Sequence, residues 1–114
     1  MFAALSAACL SGHHSTAPYD LVHGTIISGV VKKFEWENPH THLYLDVAVE
    51  DNEIEHWTVE LESPNVLHRL GWSNDSLKPG DRISVTGSRA KDGSFNMRGG
   101  YVDWPSGRRL RTLP

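Results

Sequence analysis

Cysteine and long hydrophobic runs are both scarce in this chain. Its only cysteine, Cys9, lies near the N-terminus, so the remainder forms neither disulfides nor thiolate metal sites. The most apolar stretch, residues 2–10, falls far short of the roughly 20 residues that a membrane-spanning helix needs. We therefore expect no transmembrane segment.

An excess of positive charge is also missing. The formal net charge is -3, which gives no field to attract a polyanion, and we expect no nucleic-acid partner. Arg108, Arg109 and Arg111, near the C-terminus, are predicted to be solvated surface charge. Phosphate-loop, dinucleotide and nucleophile-elbow motifs are absent, and Glu60 and Glu62 are typical of a solvated strand end. The sequence therefore favours binding over catalysis and leaves enzymatic activity undecided.

The N-terminal residues are typical of an exported protein. Small and apolar side chains fill residues 2–10, and Ser11 and Gly12 then precede a polar run. This pattern predicts a residual signal peptide over residues 1–12 and a periplasmic or secreted protein. Cleavage after Gly12 leaves His13 first, whereas cleavage before Cys9 gives a lipoprotein; a disordered cytoplasmic N-terminus is the remaining interpretation.

Apolar and polar residues alternate along most of the chain, which is typical of strands with one buried face. The predicted strands cover residues 24–36, 42–50, 55–61, 82–87 and 95–104. In the second of them, the inward positions are Leu43, Leu45, Val47 and Val49. Ser63 and Pro64 are typical of a helix start, and Gly71 is suited to end that helix.

The order of these elements predicts the fold class. Three strands, one helix and two strands in so short a chain indicate an all-β protein with small α content. We predict a five-stranded OB-like Greek-key barrel with one short helix between strands 3 and 4. The barrel domain covers residues 23–114, and residues 13–22 form an extended lead-in.

Several short segments together carry a family resemblance. They are His13-His14-Ser15, residues 34–40 (FEWENPH), 44–47, 63–65, 71–72, 77–81 and 86–87. With these segments the chain resembles a family of small secreted bacterial proteins catalogued only as a domain of unknown function. The Trp-x-Asn-Pro-His segment is the most specific of them. The resemblance implies export and a small barrel, and it implies no catalytic residue.

Two histidine pairs are candidate metal ligands: His13 with His14, and His40 with His42. If His13 is the mature N-terminus, its α-amine and imidazole suit Cu(II), and His14 adds a second imidazole. His40 and His42 are two positions apart, so on a strand both side chains point the same way. The alternatives are a polar terminus for the first pair, and a turn cap at His40 with a surface His42 for the second.

The outward face of the second and third strands is the second candidate site. Tyr44, Asp46 and His56 lie on this face, and Trp36 lies near its end. OB folds bind ligands around these strands, and this mixed, partly acidic face suits a metal or a sugar better than a phosphate backbone. The alternative for the tryptophans at element ends is plain packing.

The sequence thus supports two main hypotheses. The first is an exported small binding protein that binds or handles a transition metal, copper or zinc, through a histidine cluster. The second is a metal-free OB-type module for a polysaccharide, peptide or envelope partner. An oxidative copper enzyme is a third, weaker hypothesis. Whether the two histidine pairs meet in space stays open at this level.

Overall fold

The computed structural model describes residues 18–114, which form six strands and one α-helix. The elements are β1 (Tyr19–Glu35), β2 (His42–Ala48), β3 (Ile54–Glu60), α1 (Pro64–Arg69), β4 (Arg82–Ala90), β5 (Asn96–Asp103) and β6 (Arg109–Arg111). A turn of 3-10 helix at Glu50–Asn52 joins β2 to β3. The predicted signal peptide lies outside the described residues. No helix within residues 18–114 is long and apolar enough to cross a membrane.

The strands form one six-stranded sheet in the order β3-β2-β1-β4-β5-β6. Neighbours in this order pair antiparallel, and β3 also pairs with β5 in parallel. The pairing therefore leads from β1 through β2, β3, β5 and β4 back to β1. The predicted β class is confirmed, and so is the single short helix between the third and fourth strands.

β1 is long because it pairs with two different strands. Residues from Gly24 to Val30 pair with β4, and residues from Val30 to Glu35 pair with β2. At Gly29, between these halves, a Cβ atom would overlap the backbone carbonyl of Asp46. The close approach of the two backbones therefore requires glycine there, as expected for a glycine inside a strand. β1 begins at Tyr19, earlier than the start at residue 24 that alternation predicts.

The alternating side chains build the core largely as predicted. Leu43, Leu45 and Val47 are buried on one face of β2, and Trp57 and Val59 lie beside them on the paired strand β3, in the same core. The predicted inward position of Val49 is wrong. β2 ends at Ala48 and the chain turns into the 3-10 segment, so Val49 is exposed.

Helix α1 closes one side of this core. Ser63 is its N-cap, and the Ser63 side chain accepts a hydrogen bond from the backbone N–H of Val66. Leu67 is the helix residue that is fully buried. After Gly71 the chain places Trp72 in the core, where its indole N–H donates to the carbonyl of Arg111 at 2.8 Å. The serine and proline at the helix start thus act as predicted.

The C-terminal arginines are exposed surface charge, as predicted, but two of them belong to a strand that the sequence analysis did not predict. Arg109 and Arg111 begin and end β6, which pairs with β5. The Arg109 guanidinium donates to both carboxylate oxygens of Asp103, at 2.7 and 3.2 Å. The Arg108 guanidinium lies over the Trp104 ring, 4.7 Å from its centroid. Three residues are too few for alternation to indicate a strand, so sequence reasoning missed this element.

Candidate functional site

The outward face of β2 and β3 carries four of the predicted site residues, His42, Tyr44, Asp46 and His56. The register pairs His42 with Glu60, Tyr44 with Thr58, and Asp46 with His56. Each pair comes from directly opposite positions, where cross-strand side chains are close enough to interact. This face is therefore a continuous row of polar side chains, and most of them are engaged with one another.

Asp46 and His56 form a local pair on this face. His56 Nδ1 lies 2.8 Å from Asp46 Oδ1, and Lys32 Nζ lies 3.6 Å from Asp46 Oδ2. The His56 side chain is 79% exposed. A contact this exposed is screened by water, so it orders the two side chains locally and adds little stability.

Tyr44 is held by an acidic neighbour on β1. Its hydroxyl donates to Glu35 Oε1 at 3.2 Å, and Lys33 Nζ lies 2.9 Å from Glu35 Oε2. The hydrogen bond from Lys33 is the main reason that the pKa of Glu35 is lowered. Partial burial, followed by the Glu35 charge, raises the pKa of Tyr44. The Tyr44 hydroxyl thus already donates its hydrogen bond to another residue of the protein.

Trp36 packs against the core and is only half exposed to solvent. Its ring lies 5.8 Å from the Phe34 ring, and Phe34 in turn lies 6.0 Å from the Trp72 ring. Aromatic pairs at these separations are stabilising contacts in protein interiors. The packing interpretation of the tryptophans at element ends therefore fits Trp36 and Trp72.

His40 and His42 lie on either side of Thr41, which is fully buried. Thr41 accepts a hydrogen bond from the backbone N–H of Leu61 and donates one to the carbonyl of Glu62. These two hydrogen bonds join the residue before β2 to the two residues that follow β3. His40 Nδ1 lies 3.0 Å from Glu60 Oε2, and the His42 ring stacks on Tyr44 at 6.4 Å. Both predicted metal ligands are therefore neighbours of Glu60.

Glu60 is the centre of a polar group that we call the Glu60 cluster: Tyr19, His40, Glu60, Glu62 and Arg98. Tyr19 donates its hydroxyl to Glu60 Oε1 at 2.8 Å, and Arg98 Nη1 lies 3.9 Å from Glu60 Oε2. The parallel pairing of β3 and β5 sets Arg98 beside Glu60. The Glu60 side chain is 18% exposed, so the prediction of a solvated strand end is wrong for this residue.

Arg98 is the most buried charge of the cluster, with 6% of its surface exposed. Its Nη1 donates to the carbonyl of Leu61 at 3.1 Å, and its Nη2 donates to Glu62. Glu62 is therefore an ion-pair partner, contrary to the predicted solvated strand end. Within residues 18–114, the buried Arg98 Nε and Thr41 Oγ1 atoms have no hydrogen-bond partner.

The Tyr19 phenol has a strongly raised pKa. Burial raises its pKa to about 12, and the hydrogen bond to Glu60 acts in the same direction. Its phenol therefore stays protonated and keeps donating to Glu60 over the whole neutral range. Sequence analysis missed both Tyr19 and Arg98, because no local pattern links Tyr19 to a partner 41 residues away.

The histidines do not by themselves complete a metal centre in this part of the chain. Among residues 18–114, no group of three or more His, Cys, Asp or Glu side chains is arranged to hold a metal ion. The predicted ligands His13 and His14 lie outside the described residues. His40 Nδ1 lies beside the Glu60 carboxylate, and a carboxylate neighbour of this kind is common around histidines that bind metals in proteins.

Comparison with known families identified a match. A family described as "Family of unknown function (DUF6152)" matches residues 2–99, a range that includes all four predicted metal ligands. This finding confirms the family resemblance that the short sequence segments indicated. A search of curated proteins found no match.

Proposed function

The chain belongs to this family of unknown function, DUF6152, and we propose from its own geometry that it is an exported binding protein that holds copper or zinc through histidines. We propose a periplasmic or secreted location on the sequence pattern alone. We also propose that the fold is a five-stranded OB-type barrel to which β6 is added. The pairing that returns to β1, and the helix between β3 and β4, support this assignment.

The contact between His40 Nδ1 and Glu60 Oε2 carries the proposal. Histidines that bind metals in proteins usually donate their other ring N–H to a carboxylate or carbonyl. Such a partner fixes the tautomer and the ring orientation, and it raises the basicity of the ligating nitrogen. Glu60 is itself held by a hydrogen bond from the Tyr19 hydroxyl, so the contact with His40 is made by a carboxylate that has a second partner.

His42 would supply the second imidazole. It is the cross-strand partner of Glu60, and its ring is held against Tyr44. An imidazole pair suits both copper and zinc, and two side-chain ligands leave room for others. In this proposal, further ligands come from outside the described residues.

His13 and His14 are the proposed further ligands, because the chain that leads to them starts beside the Glu60 cluster. Tyr19 is anchored there by its hydroxyl. The six residues from Tyr19 back to His13 span at most about 20 Å. A chain anchored at Tyr19 is therefore long enough for His13 and His14 to approach His40. With His13 as the mature N-terminus, its amine and imidazole would chelate one Cu(II) ion.

The alternative function, a metal-free module that binds through Tyr44, Asp46, His56 and Trp36, has less support. Tyr44 already donates to Glu35, and Asp46 already binds His56. A ligand on this face would have to displace these contacts. A metal bound through Nε2 of His40 would instead leave the contact between Nδ1 and Glu60 in place.

Metal titration tests the proposal. The protein produced with His13 as its first residue is titrated with Cu(II) and Zn(II) by calorimetry, and the copper complex is examined by electron paramagnetic resonance. We expect one ion per chain and nitrogen hyperfine coupling. The double variant His40→Ala, His42→Ala should bind at least about tenfold more weakly. His68→Ala, at an exposed helix position, is the matched control and should bind like the wild type.

Two outcomes would overturn the proposal. One is a wild-type protein that binds neither metal more tightly than a chain lacking residues 13–17. The other is a double variant with unchanged affinity, which would remove His40 and His42 from the site. A glycine added before His13 tests the amine separately, because it displaces the α-amine while leaving all the imidazoles.

A further inference from the structure

A groove of about 760 Å³ lies on the sheet beside Gly29 of β1. Its volume is typical of small-molecule sites in proteins. Ser28, Gly29 and Val30 of β1 line it between β2 on one side and β4 on the other. It shares no residue with the Glu60 cluster, so it is separate from the proposed metal site.

Four charged residues line the groove, and their charges are not equally compensated. Asp46 is paired with His56 and Lys32, and Asp103 is paired with Arg109 through two hydrogen bonds. Arg82, in contrast, forms no ion pair with any carboxylate of residues 18–114. The groove therefore offers one uncompensated guanidinium group, which is suited to bind a carboxylate through two parallel hydrogen bonds.

Two hydroxyl groups line the same groove as Arg82. Ser28 and Ser84 are cross-strand partners, and their Oγ atoms are 2.7 Å apart. Arg82 precedes Ser84 on the same face of β4, because successive outward positions are two residues apart. Each serine hydroxyl can donate once and accept twice, so the pair retains capacity for hydroxyl groups of a ligand.

The remaining lining is apolar. Ile54, 48% exposed, and Ala48 border the groove on the β2–β3 side, and Trp104 and Pro105 border it on the β5 side. A ligand that fits this lining needs a flat apolar surface, several hydroxyl groups and one negative charge. Phosphorylated ligands carry more negative charge, and they would bring it close to Asp46 and Asp103.

We propose that this groove binds a carboxylate-bearing sugar, a uronic acid residue. The carboxylate pairs with Arg82, the ring hydroxyls bond to Ser28 and Ser84, and the C–H face of the ring packs on Trp104 and Ile54. The proposal rests on the groove alone and is independent of the metal site.

Titration with two matched sugars tests this inference. Methyl β-D-glucuronide carries a carboxylate where methyl β-D-glucopyranoside carries a neutral hydroxymethyl group. NMR shifts of the 15N-labelled protein, in the presence of EDTA, report binding of each sugar. We expect the glucuronide to bind about tenfold more tightly, the usual effect of one charge-assisted hydrogen bond. The shifted backbone amides should belong to residues 28–30, 82–84, 103 and 104.

Three variants test whether Arg82 is the residue that binds the carboxylate. Arg82→Gln should weaken glucuronide binding about tenfold and leave glucopyranoside binding unchanged. Arg82→Lys keeps the charge and should recover part of the affinity. Arg69→Gln, at an exposed position of α1, is the matched control and should bind like the wild type. Unchanged melting temperatures will show that these surface variants fold.

Other outcomes would overturn the proposal. These are equal affinity for the two sugars, no detectable glucuronide binding, or an Arg82→Gln variant that binds glucuronide like the wild type. Tighter binding of glucose 6-phosphate than of the glucuronide would also overturn it, because the ligand class would then be a phosphate. Because EDTA removes metals, failure here is distinguishable from failure of the metal proposal.

Discussion

Tyr19 and Glu60 are joined by a hydrogen bond of 2.8 Å from the phenol hydroxyl to Oε1. This contact links the first residue of β1 to the last residue of β3, and Glu60 Oε2 meanwhile contacts His40. One carboxylate therefore connects the start of the described chain to a candidate metal ligand.

Removing the Tyr19 hydroxyl should destabilise the protein. Tyr19→Phe keeps the buried ring but leaves Glu60 without one of its donors, and we expect a loss of about 1–2 kcal/mol in the free energy of unfolding. Urea denaturation followed by tryptophan fluorescence measures it. Tyr101→Phe is the matched control and should change stability by less than about 0.5 kcal/mol. Equal effects of the two changes would argue against a stabilising role for the Tyr19–Glu60 bond.

The same tyrosine should make stability depend on alkaline pH. Its pKa is raised to about 12 in the folded protein, against an ordinary value near 10. Below pH 10, Tyr19 is protonated in both the folded and the unfolded state, and its full contribution to the free energy of unfolding is present. Between pH 10 and 12, Tyr19 of the unfolded state loses its proton first, so this contribution to stability is lost as the pH rises.

Denaturation curves at several pH values between 9 and 12 test this dependence. The stability difference between wild type and Tyr19→Phe should shrink through that window, at no more than about 1.4 kcal/mol per pH unit. Lysines and other tyrosines titrate in both proteins, so the comparison isolates Tyr19. A constant difference across the window would contradict the assigned pKa.

Glu60→Gln should weaken metal binding without removing a ligand. The amide keeps the size of the side chain but replaces the charged acceptor of His40 Nδ1, and loss of such a partner typically costs about 10–100-fold in affinity. Calorimetric titration of the variant with Cu(II) measures the change. Glu53→Gln, at an exposed position before β3, is the control. Wild-type affinity in Glu60→Gln would show that His40 does not depend on Glu60.

Gly29→Ala should destabilise the fold strongly. The added Cβ would overlap the carbonyl oxygen of Asp46, so β1 and β2 would have to move apart. We expect a loss of more than about 2 kcal/mol, in the range of other severe steric changes. Gly24→Ala is the matched control, since its Cβ would meet nothing within 4 Å. Similar melting temperatures for the two variants would contradict the close approach at Gly29.

The sequence alone was enough to predict the β class and most strand positions. Alternation of apolar and polar residues is a local signal with a period of two, and it correctly assigned the buried faces of β2 and β3. The serine and proline at the start of α1 are equally local signals. The same reasoning failed at Val49, because it could not detect that the strand stops at Ala48.

Only the tertiary structure brought together Tyr19, Glu60, Glu62 and Arg98. The parallel pairing of β3 with β5 sets Arg98 beside Glu60, although the two lie far apart in sequence. In its own segment of the sequence, none of these residues has a pattern around it that indicates a buried polar partner. Strand register over long distances decides which charges meet, and no local pattern encodes that register. The sequence therefore determined which residues face inward, whereas the sheet topology decided which polar groups form the Glu60 cluster and which line the groove.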